Sequence, residues 1–61
     1  MWHVVEVDGI IRSCIDIKGK ANKYGKPKEF ETADDAARWI KRHSYTGMSV
    51  HYEIVKEGDN A

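Results

Sequence analysis

The sequence predicts an α+β fold: a three-stranded, mostly antiparallel sheet with one helix packed on one face, in the order β-β-α-β. Three observations predict it. Two runs rich in β-branched residues flank an Asp-Gly turn, a later segment repeats its apolar residues with a helical period, and the last segment alternates apolar and polar residues. One domain is expected over residues 1–57, and the polar residues 58–61 are expected to form a flexible tail.

The small size of the chain bears on its stability. It has 61 residues and one cysteine, Cys14, so no internal disulfide can form. A domain of this size buries only about 60% of the surface of its unfolded chain. Small domains without disulfides or metals are commonly stabilised by oligomer formation. We therefore expect a homodimer.

Composition limits the compartment and the partners. Ten basic and ten acidic side chains cancel, so the overall charge argues neither for nor against nucleic acid. A free thiol, together with an N-terminal stretch that lacks the basic and apolar regions of a secretory signal, is typical of a cytoplasmic protein. No run approaches the roughly 20 apolar residues that span a bilayer, so no membrane contact is expected.

A β-hairpin is predicted over residues 2–17, with Asp8-Gly9 at its turn. A direct two-residue turn pairs Val7 with Ile10, and one face then carries His3, Val5, Val7, Ile10, Arg12 and Cys14. A bulged turn with a left-handed Gly9 instead collects five aliphatic side chains on one face, namely Val5, Val7, Ile11, Ile15 and Ile17, against Trp2, Val4, Ile10, Arg12 and Cys14. We favour the bulged register because of those five aliphatic residues. A slip of one residue exchanges the two faces.

The segment that follows, residues 18–29, is a predicted loop. It contains two glycines, the only proline of the chain and five lysines. Loops of this length in small domains are functional or mobile. Phe30 is expected to end the loop by anchoring the chain to the core.

A helix is predicted over residues 32–43. Its apolar stripe consists of Ala33, Ala36, Ala37 and Ile40. The Thr32 hydroxyl is placed to cap the helix by accepting a hydrogen bond from the amide of Asp35. Trp39 falls at the rim of the stripe, where it is expected to close the core against Phe30 or Tyr45.

The last predicted strand covers residues 48–56, after a turn at 44–47. Met48, Val50, Tyr52 and Ile54 are expected to face the core, and Ser49, His51, Glu53 and Val55 to face away. One helix covers only one face of such a sheet. The other face is therefore left without a layer of its own.

This uncovered sheet face is the first candidate for function, because a contiguous apolar patch on a small protein marks a contact with another protein. The predicted interface combines it with a second edge on the helix side: Trp2, Val4, Ile10, Cys14, Val55, Trp39 and Tyr45. In the direct register, Val5 and Val7 take the places of Trp2 and Val4 on the uncovered face. The partner is expected to be a second copy or another protein.

The alternative is sequence-independent nucleic-acid binding by the lysine-rich loop. Lysines neutralise phosphates and a tyrosine stacks on an unpaired base. The residues concerned are Lys18, Lys20, Lys23, Tyr24, Lys26 and Lys28.

Catalysis and metal binding are not predicted. His3 and His51 could lie on neighbouring strands, but neither has a cysteine or paired carboxylates at ligand spacing. Cys14 with a neighbouring histidine could act as a nucleophile, yet a half-buried strand thiol is more often an apolar filler. We expect a non-enzymatic protein without a cofactor.

Three features follow one another along the chain: a hairpin that begins with Trp2, an F-x-T-x-x-x-A-A-x-x-I segment from Phe30 to Ile40, and a closing strand. In this order of elements the chain resembles very small proteins of phages and mobile elements, among them short phage proteins that bind and inhibit a host polymerase. The resemblance implies a protein-binding accessory role and assigns no residue.

Overall fold

The computed structural model describes residues 1–43 and 49–57. In this part of the chain it contains three strands and one helix: β1 (Trp2–Asp8), β2 (Ile11–Cys14), α1 (Ala33–His43) and β3 (Val50–Lys56). The strands form one sheet in the order β2-β1-β3, and both pairs are antiparallel. The predicted small α+β fold is confirmed.

The hairpin register differs from the one we favoured. Asp8 pairs with Ile11 and Val7 with Arg12, so the two-residue loop is Gly9-Ile10. Gly9 has a φ of 62° and no non-glycine residue among those described has a positive φ. A positive φ at the first loop residue alone is typical of a type II′ turn, which matches the twist of a hairpin.

The bulged register is therefore wrong. The same side chains share each face as in the direct two-residue turn. The partner of each β1 residue, however, lies two positions further along the chain, so Val7 pairs with Arg12 and not with Ile10. The reason lies at the far end of the hairpin, where the Ile15 amide donates to the Val4 carbonyl at 2.8 Å and both side chains are buried. The register that puts Val4 beside Ile15 leaves Ile11 and Ile17 exposed, which an aliphatic count along the chain does not predict.

The core lies between the sheet and α1. Its buried centre is Val4, Ile15, Phe30 and Ala36, and half-buried side chains pack against it: Trp2, Trp39, Ile40, Tyr52 and Ile54. Two backbone hydrogen bonds join Trp2 and Phe30, at 2.7 and 2.9 Å. They extend the sheet beside the start of β1 and fix Phe30 at the core, as predicted.

The helix begins where the sequence indicates. The amide of Asp35 donates to the Thr32 hydroxyl oxygen at 3.0 Å, which confirms the N-cap. Ala36 is fully buried, but Ala37 is exposed and Trp39 is half-buried. The stripe that contacts the sheet is therefore turned towards Trp39, because the large indole fills the space beside Phe30 better than the methyl group of Ala37.

The lysine-rich loop has a definite conformation built around Asp16. Isolated bridges join Ile15 to Ala21 and Asp16 to Pro27. One Asp16 carboxylate oxygen accepts from the backbone amides of Lys18 and Lys20, at 2.9 and 3.0 Å. A buried carboxylate that satisfies backbone donors is a standard way to order a turn.

Some predicted features lie outside the described residues. These are the turn at 44–47, Met48 at the start of the last predicted strand, and the tail at 58–61. In the described part of the chain, no helix has the length and apolar character needed to cross a membrane.

Candidate functional surfaces

The structure separates the residues of the predicted interface. Trp2 and Val4 point towards α1, and Val4 is fully buried in the core. Their assignment to the uncovered face is wrong, because it depended on the bulged register. Ile10 lies in the turn and is 98% exposed.

Two residues of that prediction do belong to the uncovered face. Cys14 lies opposite Val5, and Val55 lies opposite His3. Both alternate with the core-facing positions of their strands. Tyr45 lies outside the described residues.

The uncovered face is crossed by a charged network. Arg12 on β2 donates to Glu53 on β3 at 2.7 Å, over the central strand, and His51 lies 3.2 Å from the other oxygen of Glu53. The hydrogen bond from Arg12 lowers the pKa of Glu53, and the bond with His51 lowers it further. The same hydrogen bond, with the charge of Glu53, raises the pKa of Arg12.

This network covers apolar side chains of the central strand. Val5 and Val7 lie beneath it and are only 7% and 6% exposed. Val55, at the margin, is 39% exposed. Within residues 1–43 and 49–57 the face is therefore shielded by its own long side chains and offers no broad apolar patch.

A groove of about 430 Å³ lies on the helix side, between the segment around Phe30 and the exposed flank of α1. Three rings that contact one another in a row line this groove. The Phe30 and Trp39 rings meet edge to face with centroids 6.4 Å apart, and His43 stacks on Trp39 at 4.9 Å. This confirms that Trp39 closes the core against Phe30.

Charged side chains of both signs surround the rings. Basic groups are Lys28, Arg38 and Arg42, and acidic groups are Glu29, Glu31 and Asp35. Arg38 forms an ion pair with Asp35 on the helix, and the Lys28 ammonium lies 5.7 Å from the centre of the Phe30 ring. An apolar centre with a polar rim is the usual anatomy of a protein–protein contact.

The lysine-rich loop presents Tyr24 to solvent. Tyr24 is 95% exposed, and its amide donates to Asn22 at 3.0 Å. The Asn22 side chain in turn donates to Asp16 at 3.3 Å. Hydrogen bonds from Lys20, Asn22 and Lys18 lower the pKa of Asp16, against the effect of burial. The loop thus holds an exposed ring on an ordered support.

The group of residues that could hold a metal contains His3 but not His51, and metal binding at this place is not predicted from the sequence. His51 contacts Glu53, whereas His3 lies near Glu29 and Glu57. Sequence spacing could not find this group, because its members come from distant parts of the chain. Two features of the sequence could have indicated the group. Side chains alternate between the two faces along β1 and β3, and the anchoring of Phe30 at the core places its neighbour Glu29 on the other face.

Comparison of the chain with protein-family models, curated proteins and solved structures finds no match. The comparisons therefore add no support to the resemblance to phage proteins.

Proposed function

We propose that this chain is a non-catalytic protein-binding module that pairs with a second copy of itself in the cytoplasm, where the thiol of Cys14 stays reduced. The observation that carries the proposal is the groove, whose lining includes the Phe30–Trp39 pair. Buried aromatic rings inside a polar rim are favoured anchor sites for a partner's apolar side chain.

The hairpin tip supplies a matching apolar group. Ile10 and Ile11 are neighbours in sequence and are 98% and 52% exposed. Among the large exposed hydrophobic residues of the described chain, they are the only adjacent pair. These two protruding aliphatic side chains can insert into a groove such as the one beside Phe30 and Trp39.

The tip and the groove of one chain lie at opposite ends of β1. Phe30 pairs with Trp2, at the first residue of β1, whereas the tip follows Asp8, at its last. Six steps of a strand span about 20 Å, so the two cannot meet within one molecule. Two antiparallel copies could exchange them about a two-fold axis, each tip entering the other groove.

The first test is the mass in solution across a concentration series, by light scattering at low and high salt. We expect the mass to rise from 7.0 kDa to twice that value and to persist in high salt. Ile10→Asn should shift the midpoint to at least about tenfold higher concentration, because an apolar contact is lost.

Ile17→Asn is the matched control, because Ile17 is also exposed, at 60%, but lies away from the tip. The Trp39 indole signal in NMR spectra should shift with concentration in the wild type and stay constant in Ile10→Asn. A monomer at every concentration contradicts the proposal. Equal effects of both substitutions would place the contact elsewhere.

A second function, binding of single-stranded nucleic acid, is favoured by a specific observation. Tyr24 is 95% exposed on an ordered loop, residues 18–29, in which five lysines and one glutamate leave a net charge of +4. Lysines at such density release counterions from phosphates, and an exposed tyrosine ring can stack on a base.

Fluorescence anisotropy with a labelled single-stranded oligonucleotide tests this second function. Binding should weaken steeply with salt. Tyr24→Ala and the triple substitution of Lys20, Lys23 and Lys26 by Glu should each weaken binding by at least about tenfold, whereas Lys41→Glu on the helix should not. Affinity that is unchanged in the triple variant would exclude the loop as the binding site.

A further inference from the structure

Three side chains with metal-binding atoms meet on the uncovered face, beside the start of β1. His3 and the carboxylates of Glu29 and Glu57 each offer one ligand atom, and the three atoms lie within 4.8 Å of one another. Backbone pairing fixes their positions. The Trp2–Phe30 bridge brings Glu29 beside β1, and the amide of Glu57 donates to the Met1 carbonyl at 2.9 Å.

One ring nitrogen of His3, Nε2, is buried without a hydrogen-bond partner among the described residues. The nearest carboxylate oxygen, on Glu57, is 3.5 Å away, and the His3 side chain is only 14% exposed. A buried polar atom without a partner is costly, and a bound ion is one of the accepted explanations for such an atom.

The separations suit a small divalent cation. Zinc holds imidazole nitrogen and carboxylate oxygen at about 2.0–2.2 Å in a tetrahedron, which puts ligand atoms roughly 3.4 Å apart. The His3–Glu57 distance of 3.5 Å already matches that edge. Glu29 and Glu57 are exposed, so rotation of their side chains can close the remaining separation.

The charge of the three groups also fits. A neutral imidazole and two carboxylates carry a total charge of −2, which balances Zn²⁺. Imidazole favours zinc over magnesium and calcium, which prefer sites made of oxygen alone. Three protein ligands leave one position for water, as in zinc sites that are not closed by a fourth side chain.

We propose that His3, Glu29 and Glu57 form a zinc-binding site. The ion would join three chain segments at one end of the sheet: the start of β1, the segment that ends at Phe30, and the end of β3. It would therefore act as the cross-link that a domain of this size needs and that the single cysteine cannot supply.

Calorimetric titration of the full chain with zinc chloride tests the site. We expect one zinc ion per chain and a rise of Tm with zinc concentration, reversed by a chelator, because the ion binds the folded state. His3→Ala, Glu29→Gln and Glu57→Gln should each weaken binding by more than about tenfold, since even residues that only orient ligands cost that much.

His51→Ala is the matched control, because His51 also lies on the uncovered face beside a glutamate, Glu53, but outside the cluster. It should leave zinc affinity unchanged. The two glutamine substitutions affect exposed side chains and preserve the fold, so they decide the matter if His3→Ala unfolds the chain. Absence of zinc binding by the wild type, equal affinity for magnesium, or unchanged affinity in both glutamine variants would overturn the proposal.

Discussion

Asp16 and Lys20 are joined by two hydrogen bonds. The Asp16 amide donates to the Lys20 carbonyl at 2.8 Å, and the Lys20 amide donates back to the Asp16 carboxylate at 3.0 Å. The lysine-rich loop therefore owes its shape to one acidic side chain at its base. The Asn22 side chain donates to the same carboxylate and accepts from the amide of Tyr24, so the display of Tyr24 depends on Asp16 as well.

Asp16→Ala should loosen the loop without unfolding the sheet. Its carboxylate accepts from two backbone amides, those of Lys18 and Lys20, which would lose their partner. Amide hydrogen exchange at these two positions should accelerate by roughly tenfold, the scale of a lost hydrogen bond. Glu31→Ala, an exposed acidic position outside the loop, should leave both rates unchanged. Unchanged exchange in Asp16→Ala would contradict this account of the loop.

The pH dependence of stability should carry a contribution from Asp16. Its hydrogen bonds lower the pKa below the usual 3.8, so the folded state releases this proton more readily than the unfolded state. The stabilisation is therefore fully present above the unfolded pKa and disappears as the pH falls through the folded one.

Urea unfolding of wild type and Asp16→Asn between pH 7 and pH 2 measures this contribution. The wild type should be more stable above about pH 4, and the two curves should converge in stronger acid. A difference that stays constant down to pH 2 would mean that the Asp16 charge is not involved.

The fold was predictable from local patterns, but the hairpin register was not. Alternation on the last strand placed Tyr52 and Ile54 in the core correctly. On the hairpin, Val4 and Val5 are adjacent and equally β-branched, so either could face the helix. The choice depends on the distant contacts of Val4 with Ile15 and Phe30, which local sequence does not encode.

The candidate surfaces were predictable to different degrees. The helical period placed Trp39 at the rim, and the structure puts it against Phe30, at the groove. The charged network over the uncovered face was missed, because Arg12 and Glu53 come from opposite edge strands of the sheet. Such pairs emerge only from three-dimensional strand order.

The helix cap gives a sharp local prediction. Thr32→Ala removes the hydroxyl that accepts from the Asp35 amide, and should lower the free energy of unfolding by about 1 kcal/mol. Thr32→Ser keeps the acceptor and should be within roughly 0.5 kcal/mol of the wild type. Urea denaturation monitored by circular dichroism measures both. Equal losses in the two variants would mean that the methyl group, not the hydroxyl, matters.

Ile15 and Ile17 test where the core-facing part of the hairpin ends. Ile15 is 2% exposed, whereas Ile17 is 60% exposed. Ile15→Ala should cost about 2–5 kcal/mol, and Ile17→Ala should change stability by less than about 0.5 kcal/mol.

A strand that continued through Ile17 would put both residues on the same face, two positions apart, and their substitutions should then cost similar amounts. A loss of several kcal/mol approaches the total stability of a chain this short, roughly 3–9 kcal/mol. If Ile15→Ala does not fold, Ile15→Val, which should cost about 0.5–1.5 kcal/mol, is compared with Ile17→Val in its place. Urea midpoints that fall for position 15 and stay fixed for position 17 support a hairpin whose core-facing part ends before Ile17. Equal shifts at both positions would contradict the exposure of Ile17.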